Sequence, residues 1–221
     1  MNRESTRVRN ARIEIACHPI ADGAGRPLLL LHALHGSARD WSDLPTWPGP
    51  VHALDFSGHG DSDWARGGGY TPELFVADAD AVLASIVSPD DDEGIALAGA
   101  GSGAYVALLL AGARPGVVRA ALLGPGAGLG ETDGEPDFER TPERMRDPGD
   151  VPDGCDPSLW RYFGEMKPRE YVESFAARAK RLLLLEDGTE RPPWWAIARA
   201  APGAEATGPD WQTALQALAR A

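Results

Sequence analysis

Five short apolar runs constrain what this chain can fold into: LLLL at 28–31, HALD at 52–55, IALA at 95–98, AALL at 120–123 and LLLL at 182–185. Each is too short for a helix, and none alternates cleanly between apolar and polar residues. A strand buried on one face alternates, whereas a strand buried on both faces reads as a nearly unbroken apolar run. Helical segments separate most of the runs, so successive strands connect by crossovers and lie parallel. The expected class is α/β: a mostly parallel twisted sheet with helices on both faces, built as one domain over residues 1–221. Residues 8–20 read as one or two antiparallel edge strands, and no internal repeat is present.

Helix starts are marked in the sequence. Thr71 and Pro72 read as an N-cap and a first helical residue. Phe75, Ala79, Val82 and Ile86 then recur on one face. The stretch SGAYVALLLAGA at 102–113 is apolar on nearly every side, which predicts a buried helix. Further helices are expected from Pro168, with Tyr171 and Phe175 inward, from Pro192 and Pro193, and from Trp211, with Leu215 and Leu218 inward. Residues 131–156 are rich in Asp, Glu, Pro and Gly and show no period. A segment of that kind is expected to form a lid, placed as an insertion over about 129–170.

Charge narrows the partners. With 33 acidic against 21 basic side chains, the net charge is -12. Such a surface repels phosphate backbones and anionic membranes, so neither nucleic acid nor membrane is expected as a partner. The first ten residues are polar and lack the apolar core of a signal peptide. No run approaches the roughly 20 apolar residues of a membrane span. The only cysteines are Cys17 and Cys155, read as free thiols in a cytoplasmic protein. Heavy use of Gly, Ala, Pro and Arg with little Lys is typical of a GC-rich bacterial genome.

Three segments, each after an expected strand, resemble the α/β-hydrolase superfamily. LLLLHALHGSARDW resembles its oxyanion-loop segment, DFSGHGDS its Asp-x-x-Gly-His-Gly-x-Ser loop, and LAGAGSGAYVAL its nucleophile elbow. The likeness covers roughly residues 8–221 and implies an α/β-hydrolase fold with the ligand near Leu34, Trp41, Gly101 and Ser102. The ungapped match to Gly-x-Ser-x-Gly is Gly99-Ala100-Gly101-Ser102-Gly103, which puts Gly101 at the nucleophile position. Glycine has no side chain and forms no acyl-enzyme. A shift by one residue would make Ser102 the nucleophile instead; otherwise Ser102 is a first-turn residue satisfying a backbone N–H. The Gly-x-Gly-x-Gly turn also resembles the elbow of the non-catalytic N-myc downstream-regulated family.

The resemblance places a histidine just before the last helix, within ATGPDWQTAL, where this chain has Asp210. That residue also suits an N-cap. The acid of the family corresponds to Glu190, beside Glu186 and Asp187. All 5 histidines (His18, His32, His35, His52 and His59) lie in the first third of the chain. His32 and His59 read as structural, and His18 and His52 as strand or surface residues. His35 lies in the oxyanion-loop segment, where an imidazole can act as acid or base. Trp41, Trp160, Trp194 and Trp195 are candidates for an aromatic pocket or for core. GAGSGA lacks the Lys-Ser/Thr of a phosphate loop, with Ala104 in the place of a third glycine, and no Cys/His cluster has metal-ligand spacing. No cofactor or metal is expected.

Three functions fit these residues. The first is a protein that keeps a pocket for a small hydrophobic molecule and either only binds it or catalyses a lyase, isomerase or cyclisation type of step through pocket shape and His35. The second is a pseudoenzyme acting as an interaction module for a protein partner or a second copy. The third is a carboxylic-ester hydrolase using Ser102 and an unrecognised base.

Overall fold

The run LLLL forms a strand wherever it occurs, because both faces of each copy find apolar cover. The computed structural model describes residues 4–43, 46–87, 92–126, 151–161, 169–188 and 191–221. The strands are β1 Thr6–Asn10, β2 Ile13–Ala21, β3 Leu28–Leu31, β4 Val51–Leu54, β5 Ile95–Ala100, β6 Val118–Gly124, β7 Leu182–Leu185 and β8 Ala204–Thr207. They make one 8-stranded sheet in the order β1-β2-β4-β3-β5-β6-β7-β8. β2 runs antiparallel to both β1 and β4, and all other pairs are parallel. The fold is thus the α/β-hydrolase type that the sequence leads one to expect, with two edge strands where residues 8–20 suggested one or two. Strand β8, AEAT, carries no apolar run and was not marked by the pattern.

The helices are α1 Pro72–Ile86, α2 Ser102–Ala113, α3 Arg169–Ala176, α4 Pro193–Arg199 and α5 Trp211–Ala219. Thr71 caps α1 by accepting from the Leu74 N–H at 3.3 Å. In α3 the fully buried side chains are Val172 and Ala176. Tyr171 and Phe175, expected inward, are only partly buried against the same core. No described helix is long and apolar enough to cross a membrane.

Two cores sandwich the sheet. Leu29, Leu31, Leu97, Leu123, Leu182 and Leu184 face α1 to α4. Leu28, Leu30, Ala53, Ala96, Ala98 and Leu122 face a short 3-10 helix, Ala38–Trp41, together with Trp47 and α5. Among the described residues the second face carries fewer helices, and Trp41 and Trp47 are buried there in one cluster with Ala53, Ala96 and Ala98. Cys17 and Cys155 are free and buried.

This topology positions the site. The chain leaving β3 turns onto the second face to reach β4, whereas the chain leaving β5 turns into α2 on the first face. In open α/β sheets the ligand site lies between neighbouring strands whose connections diverge in this way, at their carboxyl ends. The residues at its mouth are those following Leu31 and Ala100. Of the expected lid, only 151–161 and 169–170 lie within the described residues; the rest of it, and Glu190, lie outside them.

Candidate active site

At the end of β5 the backbone turns through Gly101, with φ +55° and ψ -124°, and enters α2 at Ser102. That pairing of angles is accessible to glycine and costly for any residue with a Cβ. The flanking glycines answer to space instead. A Cβ on Gly99 would fall against the Gly103 carbonyl, and one on Gly103 against the Leu31 carbonyl and 2.5 Å from that of His32. The tight strand-to-helix turn therefore centres on Gly101. Its N–H donates to the Gly124 carbonyl at 3.1 Å, and its own carbonyl accepts from Ala104 at 2.9 Å.

Ser102 is 1% exposed and is the first residue of α2. Contrary to the expectation for a first-turn serine, its Oγ has no hydrogen-bond partner among the described residues. From the other side, the backbone after β6 closes on the turn. A Cβ on Gly126 would lie 2.8 Å from the Gly101 nitrogen and 3.0 Å from the Ala33 Cβ. The loop after β3 and the Gly101 turn are therefore neighbours.

Two buried histidines brace that loop. His32 Nδ1–H donates to the Ala33 carbonyl at 2.7 Å, while its Nε2 accepts from the Phe56 N–H at 3.0 Å. His59 Nδ1–H donates to the Ser57 carbonyl at 3.1 Å, and its Nε2 accepts from the His35 N–H at 3.2 Å. A nitrogen that accepts from an amide carries no proton, so both rings are neutral in the Nδ1–H form. Burial holds both below the usual imidazole range, and burial together with the neighbouring His32 takes His59 to about 3. These two rings tie β3 to the loop after β4.

His35 is held at φ +63°. The Gly36 N–H donates to the Ala33 carbonyl at 3.0 Å, so the loop closes as a turn. Its ring is half-buried, its pKa is lowered by burial, and its Nε2 has no partner among the described residues. Leu34 is buried in the first core. Trp41 lies in the second core, against Trp211 with ring centroids 5.1 Å apart. Leu34 and Trp41 therefore serve opposite faces and do not meet as one wall.

The remaining positions are plainly placed. Asp210 caps α5, accepting from the Thr213 N–H at 2.8 Å and its hydroxyl at 3.0 Å. Next to it, the Trp211 indole covers the Cα of Gly124 at the end of β6. The start of α5 thus carries a helix cap and an indole.

Sequence reading missed three polar residues. Asp55, which opens the DFSGHGDS motif, is 2% exposed. Its carboxylate accepts from the Ala38 N–H at 2.7 Å, the Asp61 N–H at 2.9 Å and His18 Nε2 at 2.9 Å. Burial opposes its charge, but these donors outweigh it and hold the pKa near 2. Tyr70 donates to Asp156 at 2.6 Å, and the Asp156 N–H donates to the Gly58 carbonyl at 2.7 Å. The end of the acidic segment is thereby fastened to the loop after β4. The Gly-His-Gly spacing pointed to Asp55; nothing local pointed to Tyr70 or Asp156, which lie 86 positions apart.

The sequence model of the alpha/beta hydrolase family matches residues 28–220. No curated protein is similar to this chain in sequence. Among solved structures, the thioesterase domain from the curacin biosynthetic pathway is 15% identical with a TM-score of 0.71, over 98% of this chain and 98% of that one. Est816, an N-acyl homoserine lactone degrading enzyme, is 19% identical with a TM-score of 0.68, over 97% and 95%. The bottromycin epimerase BotH, solved with bottromycin A2, is 18% identical with a TM-score of 0.61, over 99% and 96%. At these identities the likeness is one of fold.

Proposed function

Because this chain belongs to the alpha/beta hydrolase family, we propose that it uses the crevice at the carboxyl ends of β3 and β5 to bind a small, largely apolar molecule, and that it acts there without an acyl-enzyme. The observation that carries this reading is Gly101, which keeps a backbone conformation of φ +55° and ψ -124° with no nucleophile to present. An acyl-enzyme needs an activated side-chain oxygen. Gly101 offers none. The hydroxyl of Ser102 is sealed at the start of α2. His32 and His59 each spend both ring nitrogens on the backbone. His35 keeps Nε2 free and its ring uncharged, which suits it to accept or return a proton in a lyase, isomerase or cyclisation type of step. Proteins sharing the fold carry different activities, an epimerase beside a thioesterase domain and a lactone-degrading enzyme, so the fold by itself does not choose between them.

Two measurements test the reading. Incubation with a fluorophosphonate probe is expected to leave the intact mass unchanged, and p-nitrophenyl butyrate is expected to turn over no faster than with denatured protein. Stoichiometric labelling at Ser102 would establish the hydrolase instead. Native mass spectrometry of the freshly purified protein is expected to show a bound small molecule that His35→Ala retains less well. A ligand-free protein with no small-molecule response would favour an interaction module.

Gly101→Ser provides a separate check. A Cβ at φ +55° and ψ -124° is expected to cost about 1–3 kcal/mol. The variant should gain no esterase activity, since no histidine stands before α5 to activate the new oxygen. A melting temperature equal to that of the parent would contradict the strained geometry.

A further inference from the structure

Trp47, 6% exposed, donates its indole N–H to the Arg26 carbonyl at 2.7 Å. This is how a buried indole is normally satisfied. Trp194 and Trp195, each 3% exposed, differ: both Nε1 atoms are buried and, among the described residues, neither has a partner, as is also so for the Trp41 Nε1 in the second core. A buried donor left unpaired costs as much as the desolvation of that group, so two on consecutive residues is an unusual expense for packing alone. Their position connects them to the site already described. Trp194 meets Tyr105 edge to face at 5.2 Å, and Tyr105 sits on the first turn of α2, its N–H directed to the Gly101 carbonyl at 3.4 Å. Trp195 packs beside Trp194 at 5.4 Å. Both open α4, which follows the carboxyl end of β7.

We infer that Trp194 and Trp195 form an acceptor-binding subsite for the molecule held at the Gly101 crevice, their two indole N–H groups donating to a carbonyl or ether oxygen of an uncharged, otherwise apolar and ring-bearing ligand. This assignment rests on the small-molecule reading above and specifies the chemistry of its ligand. Neutrality follows from the surroundings. Among the described residues the cation against the pair is Arg191, 4.9 Å over the Trp195 ring, and it is bonded to Asp187 at 2.6 Å and to the Leu185 carbonyl at 2.9 Å. The donors are therefore matched to an acceptor that brings no charge of its own, and the surrounding rings to flat apolar surface.

Matched pairs of probes test this: 1-tetralone against tetralin, and benzophenone against diphenylmethane. Each pair shares its carbon skeleton and differs by one carbonyl. With nitrogen-15 labelled protein, the indole N–H signals of its 7 tryptophans are followed during titration, and Trp194→Phe and Trp195→Phe identify the two of interest. The ketones are expected to move those two signals and to bind about 5- to 150-fold more tightly than the hydrocarbons, the weight of two neutral hydrogen bonds. In the double Phe variant the advantage of the ketones should vanish while hydrocarbon affinity persists. Hydrocarbons binding as tightly as ketones, or ketones binding without moving these signals, would overturn the subsite and leave the small-molecule reading in place. If none of the four probes binds, both fall.

Discussion

Lowering the pH from 7 to 4 is expected to remove several kcal/mol of folding stability, in part through His59. In the folded protein burial holds His59 near 3, against an ordinary value of 6.5. The unfolded chain therefore binds a proton that the folded one refuses throughout that window. Stability then falls as pH falls, by about 1.4 kcal/mol per unit for each such group. The contribution is complete above the unfolded value and is lost progressively between 6.5 and 3, which amounts to about 3 kcal/mol by pH 4. His32, lowered by burial, acts in the same direction, as do His35 and His52. His18 opposes them: its bond to Asp55 raises its pKa, so its stabilisation is present in acid and lost as pH rises. Asp78, raised by burial, also opposes them near the carboxylate range. The carboxylate of Asp55, held near 2, adds a second loss below about 4. Urea unfolding of the parent and of His59→Gln at pH 7, 6, 5 and 4.5 measures the effect. The variant keeps an acceptor for the His35 N–H and loses the titration, so its stability should vary less steeply with pH even where it is less stable overall. Identical slopes would show that His59 is protonated in the fold.

Gly103→Ala is expected to cost about 3 kcal/mol or more, and hence to lower the melting temperature by roughly 6–12 °C for a chain of this size. Helix α2 starts against the end of β3 so closely that a methyl group at 103 would meet the Leu31 and His32 carbonyls. Neither obstacle is a movable side-chain end; both are backbone at the end of a central strand. To admit the methyl group, either α2 must withdraw or β3 must shift within the sheet, and the Gly101 turn lies between them. The variant should therefore also lose the binding expected at the crevice. Gly116→Ala is the control, because a Cβ there meets nothing within 4 Å. It should leave the melting temperature within a degree or two. Equal behaviour of the two variants would mean that the approach of α2 to β3 is looser than the structure has it.

Both predictions come from packing that no single stretch of sequence displays, and the division between what was legible and what was not follows physical lines. Apolar runs such as LLLL at 28–31 and 182–185 determined strands without help, since nothing but a doubly covered sheet buries both faces of so short a segment. Thr71 with Pro72 determined the start of α1 because capping is a contact between residues three apart. The glycines at 99, 101 and 103, read together, determined the turn, because its close approaches admit no Cβ. By contrast AEAT became β8 only because the exposed edge of β7 accepts any backbone. That His35 is held at positive φ was settled by an acceptor 24 positions away on His59. That Leu34 and Trp41 face different cores was settled by the path of the chain after β3. Which indole N–H finds a carbonyl, as that of Trp47 does, and which is left waiting, as at Trp194 and Trp195, depends on where distant backbone comes to lie. Local hydrogen bonding and burial are written into neighbouring residues, whereas the pairing of one buried polar atom with another is a property of the folded chain alone.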